Sequence, residues 1–226
     1  MHQPQLHEPE RTLLTRLADR RSKRVVFLSH CLLNENTRYL GGASRRGCVE
    51  ELVQRYIAQG VGIVQMPCPE QHAWGGVLKP HLLHVYGAAR AHPVAWRVAE
   101  RLVPLGLAYT RLVYRRLATK VAAEIADYVA SGFTVVGIVG VDASPSCGVR
   151  TTIDPACVSE LAALDPTTVS VPEHNLAIFR HARAGRGIFV EELQRALRRR
   201  GLDVPFRAHD MRAEIEAASS QIGAAQ

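Results

Sequence analysis

The chain has 226 residues, 47% hydrophobic and 22% charged, an ordinary globular composition long enough for one large α/β domain or two small ones. Its net charge is +7, but the basic residues are spread along the chain and no RNA-binding aromatic motif accompanies them, which argues against a nucleic-acid module. The first residues are polar and charged, and the longest apolar run, 102–113, is broken by Pro104, Gly106 and Arg111, so neither a secretory h-region nor a membrane span is expected.

Residues 1–23 read as a charged leader, helical over 10–20. A β-branched run predicts a first strand at 24–29 and is followed by Cys31 and a Gly/Arg-containing loop over 34–46. Apolar residues at Val49, Leu52, Val53, Tyr56 and Ile57 have helical spacing over 48–59, and Gly60 stops that helix. A second strand at 61–65 runs into Pro67-Cys68-Pro69. Beyond an irregular stretch over 70–80 the pattern is helical to residue 130, interrupted at Pro93 and Pro104, and 81–120 is a candidate helical insertion. A third strand at 133–141 leads into the Ser/Pro/Gly loop that holds Cys147. A loop with a short helix near 158–164, a helix or turn after Pro172, a helix over 191–200 and a last strand at 204–206 complete the pattern. The tail over 211–226 reads as helical, then fraying. Strands alternating with helices predict one doubly wound α/β domain over 24–210, Rossmann-like, with a mostly parallel sheet and helices on both faces.

Chemistry concentrates in the loops after these strands. Cys31, Cys68 and Cys147 each follow a buried strand and sit among turn residues. In an open parallel sheet such strand ends line one edge, where ligands bind. Three thiolates converging there, with no fourth, describe a metal centre with an open position; three unrelated small loop residues are the alternative. Five cysteines without any C-x-x-C spacing speak against zinc ribbons and disulfide frameworks and suit a cytoplasmic, reducing setting. Cys48 and Cys157 read as packing residues. The prolines flanking Cys68 remove soft dihedrals on both sides of a thiol. Glu70 follows it, either as a helix first-turn acid or as a general acid/base. The hydroxyls of Ser144 and Ser146 could bind an anion or donate to sulfide, or simply form a turn. Asp142 could serve the site or cap the loop, and Arg38 could hold an acidic or carbonyl-bearing substrate or lie on the surface. His30 and Trp74 are weaker candidates.

In this order, the motifs Cys31-Leu32-Leu33-Asn34 with Arg38-Tyr39 and Gly41-Gly42, Pro67-Cys68-Pro69-Glu70, and Gly140 to Val149 through Ser144-Pro145-Ser146-Cys147-Gly148 resemble the 2-thiouracil desulfurase (TudS) family. The late run from Gly187 to Leu193 is also similar, so the resemblance covers roughly residues 24–210. It implies a non-redox desulfidase with a [4Fe-4S] cluster on Cys31, Cys68 and Cys147, whose open iron takes the sulfur of a thiocarbonyl substrate. It also implies Glu70 and Ser144 as catalytic residues. Arg38, Ser146 and Asp142 are candidate substrate-binding residues. Asn34 and Leu40 stand where many members have glycine and an acidic residue, which suggests a divergent branch. The expected partner is a small thio-compound, with no membrane or nucleic acid, and the expected state is a monomer or homodimer. A non-catalytic cluster-binding or sulfur-sensing protein is the alternative.

Overall fold

The computed structural model of the protein describes residues 7–92, 94, 96, 101, 103–154, 157, 160, 161 and 164–223. The expected interruption at Pro93 and most of the expected helix near 158–164 lie outside the described residues.

Four parallel strands form the central sheet: β1 (Arg24–Leu28), β2 (Gly62–Gln65), β3 (Thr134–Val141) and β6 (Phe206–His209), in the order β2-β1-β3-β6. Leu28 lies opposite Gln65 on one side and Val139 on the other. One extra residue in β3, Val136, interrupts the β1–β3 ladder, a bulge that sharpens the local twist. The last strand starts at Phe206 because Pro205 has no N–H for the ladder; its carbonyl accepts from Ile138 N at 2.9 Å. A small antiparallel pair, β4 (Thr151–Ile153) with β5 (Ala182–Ala184), lies outside the main sheet.

Side-chain alternation along β1 divides the core in two. Val25 and Phe27 face one side with α6 (Val103–Ala130) and α8 (Ile188–Arg198). Val26 and Leu28 face the other with α3 (Glu50–Ala58), α7 (Val171–Phe179) and α9 (Arg212–Gly223). The period of two is what sends neighbouring residues of a strand to opposite faces. The chain is therefore an α/β, Rossmann-like fold with helices on both faces of a parallel sheet.

The candidate insertion over 81–120 covers α5 (Pro80–Ala91) and the first part of α6. α5 precedes α6, and Pro104 lies in the first turn of α6 rather than interrupting it, a position where proline loses no helical hydrogen bond. From Tyr114 onward α6 is core: Tyr114, Leu117, Ala118, Val121, Ala122 and Ile125 are buried at helical spacing. Only its first turns project, exposing Leu105, Tyr109 and Leu112. The C-terminal segment is helical as α9, with Met211 and Ile215 buried and α9 packed on α7. By contrast α1 (Glu8–Arg16) buries nothing, as expected of a charged leader.

Candidate functional site

The connection from β1 leads to β2 on one side, while β3 leads on to β6 on the other. The switch point of the sheet thus lies between the C-terminal ends of β1 and β3, where doubly wound folds open a crevice. Cys31 and Cys147 flank this point, and Cys68 follows the neighbouring β2. Main-chain hydrogen bonds continue past the strands and fix these exits: Ser29 N donates to Val139 O at 3.0 Å and Met66 N to Leu28 O at 2.8 Å.

Each cysteine is held by a different device. Cys31 lies in the single turn α2 (His30–Leu33), tied down by fully buried Leu32. Cys68 is the N-cap of α4 (Pro69–Ala73), with Pro69 at the first helical position. Cys147 sits in a loop that packs backbone against backbone. A Cβ on Gly140 would lie 2.2 Å from the Cys147 carbonyl oxygen, and one on Gly187 would lie 2.4 Å from the Ser146 carbonyl. The first amides of α8 hold the same loop, with Ile188 N donating to Pro145 O and Phe189 N to Ser146 O, both at 3.0 Å.

The three cysteines line one cavity of about 60 Å³, together with Arg38, Tyr39 and Glu70. Ser144 and Ser146 form part of the same wall. Burial pushes all three thiols up from their ordinary range, Cys68 to about 11. At Cys147 the charges of Cys31 and Cys68 would add to this, opposed by the hydroxyls of Ser146 and Ser29. At Cys31 the cations Arg38 and Lys79 oppose it. Such thiols stay protonated unless a cation joins them; metal binding inverts that preference. The Ser29 hydroxyl is buried without a well-formed hydrogen-bond partner, beside the Cys147 sulfur that it helps to lower. It is a donor available to a ligating thiolate.

The three sulfurs do not all lie within 4.8 Å of one another; among the described residues, the set of potential metal ligands that does is Glu51, His209 and Glu214. A single tetrahedral zinc, with Zn–S near 2.3 Å, brings its sulfurs to about 3.8 Å, so the three thiols as placed do not already form that geometry. The acidic set has its own cation: Arg45 Nη1 pairs with Glu214 at 2.8 Å and Arg45 Nη2 with Glu51 at 2.5 Å. It is an ion-pair network.

Glu70 is where the polar groups meet. Ser146 Oγ donates to Glu70 Oε1 at 2.9 Å, and Ser144 Oγ lies 3.2 Å from Ser146 Oγ. Ser146 Oγ also lies 3.6 Å from Cys147 Sγ; when its one proton goes to the carboxylate, it accepts from Ser144. Ser144 Oγ in turn accepts from Cys147 N at 3.0 Å and Ser146 N at 3.4 Å. The donors therefore run in one direction, Ser144 to Ser146 to Glu70. On its other oxygen, Oε2, Glu70 pairs with Lys79 Nζ at 3.5 Å.

Two candidates have other roles. Asp142 does not line the cavity. Its carboxylate accepts from the amides of Val149, Arg150 and Thr151 and from Arg150 Nε at 2.7 Å, which makes it the cap of the cysteine loop instead of a substrate contact. Trp74 donates its indole N–H to Thr110 Oγ1 at 3.4 Å and packs on the α6 side of the core. Arg38 does line the cavity, although its Nε donates to Gly42 O at 2.5 Å and Nη1 to Met211 Sδ at 2.7 Å. His30 lines it too, its ring kept below its ordinary value chiefly by burial. Behind the cavity, Tyr39 donates to Asn175 Oδ1 at 3.0 Å and Asn175 Nδ2 donates to Gly41 O at 2.9 Å, so α7 braces this wall. Cys48 and Cys157 lie outside the cavity lining. Lys79 and Ser29 are the residues that motif reading does not find. Neither belongs to a recognisable pattern, and the only hint at Lys79 is a basic residue directly before Pro80.

Arg111 and Arg195 both pair with Glu191 and Glu192 across α6 and α8. Among the described residues no helix is long and apolar enough to cross a membrane.

No family model and no solved structure matches the chain. An uncharacterized protein of Methanocaldococcus jannaschii is 36% identical over 50 residues, 22% of this chain and 32% of that relative. The match thus spans about a third of the relative's length and extends to no activity.

Proposed function

We propose that the protein is an iron–sulfur-dependent desulfidase that removes sulfur from a thiolated nucleobase or related thioamide. The carrying observation is that thiols from three adjacent strand ends line one cavity at the sheet's switch point, with a carboxylate–serine chain in its wall. The motif resemblance supplies the reaction class. In that reading Cys31, Cys68 and Cys147 hold a [4Fe-4S] cluster, which when bound supplies a Lewis-acidic iron for a thiocarbonyl sulfur. The charge of the surroundings agrees with thiolate ligation: Arg38 and Lys79 outnumber Glu70 by one, an excess that favours ligating thiolates over neutral thiols.

The net change replaces C=S by C=O, consumes one water and releases hydrogen sulfide. Glu70 takes the proton of the incoming water through the serines. Returning it reverses the chain: protonated Glu70 donates to Ser146 Oγ, Ser146 to Ser144 Oγ, and Ser144 into the cavity. Arg38 and Tyr39, which also line the cavity, orient a flat, carbonyl-bearing ring. Cytoplasmic residence suits the oxygen sensitivity of such a centre.

The test is iron and acid-labile sulfide content of anaerobically purified protein, beside a Cys147→Ser variant, followed by sulfide release from thiouracils. About four irons per chain, lost in the variant, together with turnover support the reading. A colourless protein that cannot be reconstituted sinks it. A loaded cluster with no turnover of any thio-compound favours a sulfur sensor instead.

A further inference from the structure

Lys79 combines two features that are individually uncommon. Its side chain is buried, at 3% residue exposure, and its backbone is left-handed, with φ 51° and ψ 53°. Lysine is rarely buried without a partner. The left-handed region is unfavourable for any residue with a Cβ, and a residue before proline is normally extended. Strain of this kind persists where the surroundings over-determine it. Here a turn through Gly75 and Gly76, closed by Lys79 N donating to Gly76 O at 3.0 Å, leads into α5 and turns the side chain inward.

The ammonium joins two arms of the cavity. Lys79 Nζ donates to Thr37 O at 2.7 Å, on the segment after Cys31, and pairs at 3.5 Å with Glu70 Oε2, on the segment after Cys68. With Oε2 held, Oε1 is the oxygen left for Ser146. Lys79 does not line the cavity itself, so it acts through Glu70.

We propose that Lys79 is a positioning residue of this site: a fixed, buried cation that orients the Glu70 carboxylate toward the serine chain and offsets the negative charge of the centre. The proposal rests on the desulfidase reading given above. Lys79→Gly is the informative variant, because glycine accepts the left-handed backbone that lysine strains to adopt. In the iron-loaded full chain its kcat on 2-thiouracil falls about 10- to 100-fold with KM within about twofold. The midpoint potential of the iron centre also moves lower, since a nearby positive charge favours the reduced form. Propylammonium restores part of the rate and 1-propanol does not. If Lys79→Gly loads less iron, Lys79→Arg decides: recovered loading and potential support a need for charge, and values as poor as those of glycine overturn it. Wild-type kcat and potential in loaded Lys79→Gly, or equal rescue by propanol, overturn the proposal alone. Wild-type protein that takes up no iron overturns the reading beneath it.

Discussion

Gly187→Ala isolates the close packing that positions Cys147. Gly187 has φ −68° and ψ 150°, a conformation any residue adopts, so the perturbation is steric. The added Cβ would stand 2.4 Å from the Ser146 carbonyl carbon and oxygen and 2.8 Å from Cys147 N. Since real Cβ atoms essentially never come closer than 3.0 Å, the loop and helix must part by at least 0.6 Å. Three 3.0 Å hydrogen bonds cross this contact, Gly187 N to Gly148 O, Ile188 N to Pro145 O and Phe189 N to Ser146 O. The same displacement would stretch them to about 3.6 Å, beyond useful length. At about 0.5–1.5 kcal/mol each, the loss is roughly 1.5–4.5 kcal/mol, or a fall in Tm of about 3–18 °C for a chain of this size. Iron loading should fall as well, because the displaced residue is the neighbour of a candidate ligand. The assay is thermal unfolding of metal-free protein alongside iron content after reconstitution. Gly47→Ala, where a Cβ meets nothing within 4 Å, is the control and should match wild type in both. A Gly187→Ala variant with wild-type Tm and iron content would refute the argument that this contact holds the loop.

Arg45→Met should weaken the fold in a pH-dependent way. Its guanidinium hydrogen bond holds the Glu214 carboxyl below its ordinary 4.5. A depressed carboxyl contributes stability above its unfolded value, which is lost as pH falls through the folded value. The deficit relative to wild type should therefore be full near pH ~7 and shrink by about pH 3 in urea titrations; a gap that widens in acid would contradict this. Asn175→Ala removes the brace between α7, Tyr39 and Gly41. At a buried site this should cost about 1–3 kcal/mol in chemical unfolding, and an unchanged denaturation midpoint would show that the brace is redundant.

Local chemistry made the strands, their alternation and the three strand-end cysteines legible from sequence. β-Branched runs and helical spacing are short-range signals, and the prolines and glycines around Cys68 and Cys147 mark turns whatever surrounds them. The same signals misplaced some boundaries. α8 begins three residues before its expected start because Gly187 serves as N-cap against the cysteine loop, a contact across forty residues that no local pattern contains. The small β4–β5 pair was invisible for the same reason: three-residue strands carry too little periodicity to read.

Only the tertiary structure decided how the candidate residues divide their roles. Strand order β2-β1-β3-β6 places Cys31 and Cys147 at the switch point, and strand order is a long-range property. Asp142 read from sequence as either a site residue or the cap of its loop, and its oxygens are consumed by the amides of that loop. Lys79 belongs to no motif in the sequence, yet a left-handed turn buries its ammonium between Thr37 and Glu70. Sequence by itself determined which groups the protein carries to the edge of its sheet, because residue type and strand period are local. Which of those groups face one another depends on contacts between segments forty or more residues apart, and only the packed fold brings those together.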